Sequence, residues 1–493
     1  MGCRCARAKV TWFVAAVLVL AVGLHENPAI AAETYENLTL DECIEIALAQ
    51  YLPLKNQRES VLAAESAHRA ARGDFLPVLT VNAGHDFRDN IPNAQTQHSA
   101  FGSASVQKNF EYGGSLSVVG RSDRDDRFGH EEEYGSTVSA NFQQPLLEGA
   151  GPAVAAANVK ISEINEDISE MVLRDAIRSH ILTVIQQYNS VIESERLLQV
   201  REEALGRSQA SLKRTRALVA EGEQARIDIA TQELQVASGE EQVTQVKNNY
   251  RSALIQLRLF LGVPPEQDIT LARNPEVEIN FEPDNPAFTP RPLDMDEAKR
   301  LALERRLDYL QQKRALEISE IGVVTAKNVL LPDLSLFGTL GLADSGSDFR
   351  GAFHVNEGDW VTGLQFEMPF GLVREREQHT QAAISLRRAK NNLEQSRRLL
   401  LNNVDNTVRD VQTSELRLIS AYKGVKNAQL SERGTQIRYE QGERNAFDLA
   451  NAQAALTDAE AGYVSLFLSY KNILAKLDNV IGEPVEERYG VSL

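Results

Sequence analysis

Apolar residues recur at every seventh position along an otherwise polar stretch in the first half of the chain. Ile177, Val184, Val191, Leu198, Leu205, Leu212 and Val219 form the series, and Val404, Val411, Leu418 and Val425 repeat part of it 220 residues later. A sustained seven-residue repeat keeps one apolar seam turned toward a partner and imposes left-handed coiled-coil packing. The series predicts a helix over residues 153–219, about 67 residues and on the order of 100 Å at ~1.5 Å per residue. Residues 42–73 and 226–260 read as shorter helices of about 32 and 35 residues, which end to end match the long one. The second half gives the same sum. The expected framework is a long antiparallel rod in which two short helices run beside each long one.

Between the first short helix and the long helix the period falls to two. In the first half the stretches are "LPVLTVNAGHDF", "AFGSASVQKNF", "GGSLSVVG" and "STVSANFQQPLL"; in the second they are "LPDLSLFGTLGL" and "DWVTGLQFEMPF". Val138, Ala140 and Phe142 share one face, as expected of strands with one apolar and one polar side. Polar, Gly-rich segments such as "RDNIPNAQTQHS" and "ADSGSDFRG" separate them. One chain has too few strands to close a wide barrel, so its edges must pair with other copies.

The chain is internally duplicated. "LTLDECIEIALAQYLPLKNQ" from Leu38 aligns with "LDMDEAKRLALERRLDYLQQ" from Leu293 at a shift of 255, which also pairs Leu76-Pro77 with Leu331-Pro332. A shift of 224 pairs Phe142 with Phe366 and Pro145 with Pro369, and a shift of 220 pairs Gly262 and Pro264 with Gly482 and Pro484. The shift falls because the first half holds a longer strand region. Residues 32–262 and 293–493 are thus expected to be two structural repeats. The segment 263–292 between them holds seven of the 16 prolines, which excludes a helix there; "EVEINFE" within it reads as a short strand.

Composition narrows the class. Aromatics are 6% and the net charge is -17, which disfavours a nucleic-acid partner. Arg4, Arg7 and Lys9 precede the apolar run "VTWFVAAVLVLAVGL", and Ala29 and Ala31 fit the small-residue positions of a cleavage site. Residues 1–31 therefore read as a secretory signal peptide; the apolar run is shorter than the ~20 residues a span needs. Cys3 and Cys5 leave with it, so Cys43 alone remains. No other apolar run is long enough for a helical span, so entry into a membrane has to be as a β-barrel.

Candidate chemistry is concentrated in two turns. "AEGEQARID" and "EQGERNAFD" place Gly222 and Gly442, Glu223 and Glu443, and Asp228 and Asp448 at a common spacing of 220. Gly permits the left-handed backbone that ends one helix and begins a reversal. Asp228 and Asp448 suit the first turn of the following helix, where an acid favours the helix dipole. Enzyme signals are lacking: there is no HExxH, Cys/His cluster or phosphate loop, so neither a metal nor another cofactor is expected. "HEEEYG" from His130 reads as a solvated loop, and Cys43 as a packing residue.

The duplicated "LTLDECIEIAL" helix, the Leu-Pro strand starts, "FQQPLLEGAGP", and the paired Gly tips closed by "LGVPPE" and "IGEPVE" together resemble the TolC-like outer-membrane efflux proteins. The resemblance covers nearly all of the mature chain. It implies a mainly α fold with β: a homotrimer whose helices form an α-barrel in the periplasm and whose strands share one transmembrane β-barrel. It implies four strands per chain in a 12-stranded barrel. Against that, "AFGSASVQKNFEYGGSLSVVG", about residues 101–121, reads as an extra hairpin that lengthens the strands, folds over the mouth or adds to the wall.

The same resemblance implies that the Gly turns lie at the periplasmic end and that the pore closes there. By position, Asp228, Tyr439, Arg444, Asp448 and Asn451 correspond to the gate. Where the family carries a second acid, this chain has Asn451, so one acidic ring of Asp448 is expected rather than two. Gly222, Glu223, Gly442 and Glu443 correspond to the surface on which an adaptor docks. The implied function is an outer-membrane exit duct for efflux or type I secretion. Its implied partners are a periplasmic adaptor, an inner-membrane pump or ABC exporter, and outer-membrane lipid. The alternative is a soluble periplasmic coiled-coil scaffold or adaptor, which would not require the aromatic residues Phe142, Phe337, Trp360, Phe366 and Phe370 on its strands.

Overall fold

The computed structural model describes residues 35–90, 95–127, 133–272, 294–346 and 357–485. Residues 1–31, expected above to be a signal peptide, His130, most of the 263–292 segment and its "EVEINFE" lie outside the described residues. The chain opens with strand β1 (Tyr35–Leu38), then helices α1 (Leu40–Gln50) and α2 (Leu52–Gly73). Four strands follow: β2 (Val78–Asn90), β3 (Gln95–Asn109), β4 (Ser115–Arg127) and β5 (Glu133–Pro145). A short α3 (Pro152–Ala155) leads into the long α4 (Ala157–Glu221), and α5 (Arg226–Leu261) returns beside it to strand β6 (Ile269–Leu271). The second repeat has α6 (Met295–Arg305), α7 (Leu307–Asn328), β7 (Asp333–Gly346), β8 (Glu357–Glu367), α8 (Val373–Glu440) and α9 (Ala446–Val480).

Each opening helix is started by a side-chain cap. Thr39 Oγ1 accepts the Glu42 N–H while the Glu42 carboxylate accepts the Thr39 N–H at 2.8 Å, the reciprocal capping box. In the second repeat Asp294 accepts the Asp296 N–H at 3.0 Å. The 42–73 helix expected from sequence is interrupted at Tyr51, and its counterpart at Arg306, where ψ is 113° and 117°. Pro53 lies just after the first interruption, but no proline stands near the second. What the repeats share is a glycine pressed against the break. A Cβ on Gly262 would stand 2.9 Å from the Gln50 carbonyl carbon, and one on Gly482 2.9 Å from that of Arg305. Both glycines have φ +75°, close the C-terminus of a helix, and lie 220 residues apart. The duplication is therefore preserved in backbone packing.

The heptad series behaves differently along its length. Ile177, Val184 and Val191 are fully buried, as are Val404, Val411, Leu418 and Val425. They join Tyr463, Phe467, Leu257 and Ile44 in the main core, where α4 and α5 meet α1 and α8 meets α6. Toward the tip, Leu198, Leu205, Leu212 and Val219 are only half-buried, and the buried positions on α4 become Ser208 and Thr215. The rod is apolar at its waist and polar inside near its end. At the waist β1 and β6 pair in parallel, a strand pairing the sequence pattern did not reveal.

All remaining strands form one antiparallel sheet in the order β2-β3-β4-β5-β7-β8. Among the described residues the four strands implied by resemblance are therefore six, because β3 and β4 hydrogen-bond into the sheet between β2 and β5. No helix among the described residues is long and apolar enough to cross a membrane.

Candidate functional site at the helical tips

The turns at the two tips are built alike. Gly222 has φ +85° and Gly442 +76°. The Glu223 N–H reaches back to the Leu218 carbonyl and the Glu443 N–H to that of Arg438, both at 2.9 Å, while each Gly N–H bonds the carbonyl three residues before it. This Schellman arrangement needs a left-handed residue at the glycine. Nothing stands within 4 Å of a Cβ built on either glycine, and both following glutamates are exposed. The turns are thus open surface, in contrast to the packed glycines at the waist.

Behind the turns, hairpin α4/α5 is joined to hairpin α8/α9 by a ladder of polar bonds. Tyr439 is buried, and its hydroxyl lies 2.7 Å from Thr215 Oγ1. Thr215 spends its own hydrogen on the Ser211 carbonyl at 2.9 Å, so Tyr439 is the donor. Gln232, also buried, donates to the Ala446 carbonyl at 3.2 Å. Gln453 donates to Ser211 at 3.1 Å. Arg214 pairs with Glu440 at 2.8 Å, and Arg207 bonds both Thr457 and Glu460. Tyr439, Ala446 and Leu449, with Leu218 against them, form a separate small apolar cluster. A cavity of about 270 Å³ lies among these groups, lined by Arg207, Arg214, Tyr439, Glu440 and Gln453.

Burial sets the electrostatics of the ladder. It pushes the Tyr439 hydroxyl above its ordinary value; the bond to Thr215 opposes this and the charge of Asp228 adds to it. Burial likewise raises the Glu460 carboxyl, against the pull of Arg207. Desolvated groups of this kind are held by specific partners, and removing one partner costs more than at a surface.

The sequence-expected residues are divided by this geometry. Tyr439 is in the ladder, and Asp228 lies near enough to act on it. Arg444, in the turn just before α9, instead pairs with Asp448 of the same hairpin at 3.3 Å. Asp448 also sits in the first turn of α9, where its N–H is capped by Asn445 at 2.8 Å. Asn451 is exposed. Sequence reasoning missed Thr215, Gln232, Gln453 and the Arg207–Glu460 pair. The only signal for them was the change from apolar to polar residues on the inner face of α4, at Ser208 and Thr215.

At the opposite end the sheet carries an uncovered apolar face. One hydrogen-bonded row crosses all six strands as Leu79, Val106, Val118, Ala140, Leu340 and Trp360. Apart from Ala140, all of these are exposed. The adjoining row on the other face reads Thr80, Ser105, Val119, Ser139, Gly341 and Asp359. Apolar outside and polar inside is the pattern of a membrane β-wall. A β-wall continuous with a duplicated helical rod, latched at its far tip, defines a conduit that spans a membrane and projects beyond it.

The family model described as outer membrane efflux protein matches residues 43–263 and 299–483, and the chain belongs to that family. It is an outer-membrane efflux channel of tripartite systems, seated in the outer membrane and extending into the periplasm. Channels of this family work with an adaptor and an inner-membrane pump. The soluble-scaffold alternative is not favoured.

Solved structures share the fold at low identity. A structure of CusC, described in terms of folding and transmembrane channel formation, is 16% identical with TM-score 0.68, over 93% of this chain and 95% of its own. The open-state MtrE outer membrane channel of Neisseria gonorrhoeae is 17% identical with TM-score 0.67, over 93% and 94%. VceC of Vibrio cholerae is 16% identical with TM-score 0.65, over 90% and 96%. No curated protein sequence matches the chain.

Proposed function

We propose that three copies of the chain assemble into one continuous duct, a passive channel with no catalytic step, closed at the periplasmic tips. The observation that carries this reading is the ladder between hairpins α4/α5 and α8/α9, centred on Tyr439 and Thr215. In the closed state the α8/α9 hairpins coil inward. Asp448 of each chain, three in all, then faces the axis as one acidic ring that draws cations. Asn451 adds no second ring. Arg444 offsets the charge of Asp448, and Asp228 with Tyr439 stands behind it. The open turns at Gly222, Glu223, Gly442 and Glu443 are where a helical hairpin of the periplasmic adaptor docks, and the pump or ABC exporter beyond the adaptor supplies the energy.

The test is single-channel recording in planar bilayers. Tyr439→Phe combined with Arg444→Ala is expected to raise conductance and to increase cation selectivity, read from the reversal potential in a salt gradient. Unchanged conductance in the double variant would sink the gate assignment. Fractionation checks the assembly: a heat-sensitive trimer in outer membranes is expected, and a soluble monomer would contradict it.

A further inference from the structure

We infer that the wall of this duct has eighteen strands, six from each chain, and that its exit is correspondingly wide. The inference rests on the trimer proposed above; the six strands per chain do not. Hairpin β3–β4 is paired along its whole length, from Val78–Gln107 to Asn90–Gln95 on one side and from Ser115–Gln143 to Asp125–Glu133 on the other. It also carries the same apolar band as its neighbours. Val106 of β3 and Val118 of β4 lie in the row that joins Leu79 to Ala140, and Leu116 is paired with Phe142. A hairpin folded over the mouth would leave that face in water. One set into the wall gives it lipid.

The turn of the hairpin is fixed into the junction between sheet and rod. The Phe110 N–H bonds the Gly114 carbonyl at 2.8 Å, and the Tyr112 carbonyl accepts the Gly151 N–H at 3.1 Å and Gln144 at 3.3 Å. Asn109 donates to the Asp74 carbonyl at 3.3 Å. At Gly113, with φ +92°, a Cβ would stand 2.2 Å from the Gly149 carbonyl oxygen. The turn therefore sits against the collar just before α3, a place consistent only with strands that cross the full wall.

Closure follows from the edges. β2 and β8 are the outer strands of the sheet, and they run in opposite directions because the number between them is even. Their outward rims include Leu79, Val81, Trp360 and Leu364, all strongly exposed. A sheet edge cannot stay open in hydrocarbon, so it must be met by another strand. β8 of one copy against β2 of the next continues the antiparallel ladder and the apolar band without interruption. At ~4.8 Å between strands and a tilt near 40°, twelve strands enclose a backbone diameter of about 24 Å and eighteen about 36 Å, roughly twice the cross-section. An exit of that size has the scale of an open aqueous channel, so size selection falls to the tips and the outer mouth passes bulky solutes and polypeptide.

The protein extracted from outer membranes into nanodiscs decides the matter. Native mass spectrometry counts the subunits, and electron cryomicroscopy counts the strands. Three subunits and eighteen strands are expected. Three subunits with twelve strands overturn the inference and leave the trimer standing. Any other subunit number overturns the trimer and with it the total of eighteen, and the strand-to-subunit ratio shows separately whether six per chain survives. A second measurement uses neutral polyethylene glycols added from the extracellular side. The full chain is expected to admit polymers of at least about 1.5-fold greater diameter than a chain lacking residues 95–127, which joins β2 to β5. Equal cut-offs in a deletion variant that still assembles would overturn the inference; if the deletion does not assemble, the strand count decides.

Discussion

Tyr439→Phe isolates a single bond of the tip ladder. The substitution keeps the ring in its cluster with Ala446 and Leu449 and removes only the hydroxyl that donates to Thr215 at 2.7 Å. Thr215 keeps its own bond to the Ser211 carbonyl, so no donor is orphaned. In the proposed gate, opening separates α8/α9 from α4/α5, so the bond belongs to the closed state alone. A buried neutral hydrogen bond contributes about 0.5–1.5 kcal/mol, and three copies about 1.5–4.5 kcal/mol, which raises the open-to-closed ratio by roughly tenfold to two-thousandfold. Long single-channel records at fixed salt give that ratio directly. Thr215→Val provides the other arm of a double-variant cycle, and a coupling of about 0.5–1.5 kcal/mol per chain is expected if the two side chains act through each other. A ratio within twofold of the parent, or zero coupling, would refute the assignment of this bond to the closed state.

Three further outcomes are expected. Gly262→Ala should lower the thermal dissociation temperature more than Gly222→Ala: both carry the left-handed penalty of about 1–2 kcal/mol, but only the first also drives a Cβ into the Gln50 backbone; equal losses would contradict the packing argument. His180 is buried against Tyr51, ring centroids 3.9 Å apart, and burial lowers its pKa below the ordinary 6.5. The unfolded chain then binds more protons as pH falls through 6.5, so stability drops with acidification until the folded group titrates; His180→Phe, which keeps a stacked ring, should flatten the unfolding-temperature profile below that pH, and an unchanged slope would place its origin elsewhere. Cys43 is fully buried and its thiol is pushed up to about 12 by burial, so maleimide should label it only on unfolding, whereas labelling of the folded trimer would show that α1 opens locally.

The features legible in the sequence were those written in local period or in repetition. The heptad of α4 and α8, the strand alternation around Val138 and Phe142, and the matched glycines are local or self-referential, and the structure contains them. The interruptions at Tyr51 and Arg306 were not legible, because they answer to glycines more than 170 residues away in the chain. The ladder was only partly legible for the same reason: Thr215 and Tyr439 are 224 residues apart, and the polar turn of the inner face of α4 does not by itself name Tyr439 as the partner of Thr215. The duplication was also a false guide there, since the repeat partner of Tyr439 is Val219. Arg444 shows the opposite case. Its spacing to Asp448 suited a lock or a plain local pair, and within one chain the local pair, from the tip turn to the first turn of α9, is what forms.

The extra hairpin changes how force travels through the molecule. Of the six strands, β2, β5, β7 and β8 each run directly into a helix, whereas β3 and β4 connect only to other strands. Any torque that uncoils the tips reaches the wall through four struts per chain. The hairpin between β2 and β5 receives it only sideways through ladder bonds, and from below through the turn at Phe110–Gly114. By its connections it is set as a panel within a frame of helix-borne strands. Under the proposed gating, twist of the rod is expected to be taken up there by shear between neighbouring strands, leaving the rim of the pore round while the helices beneath it rotate.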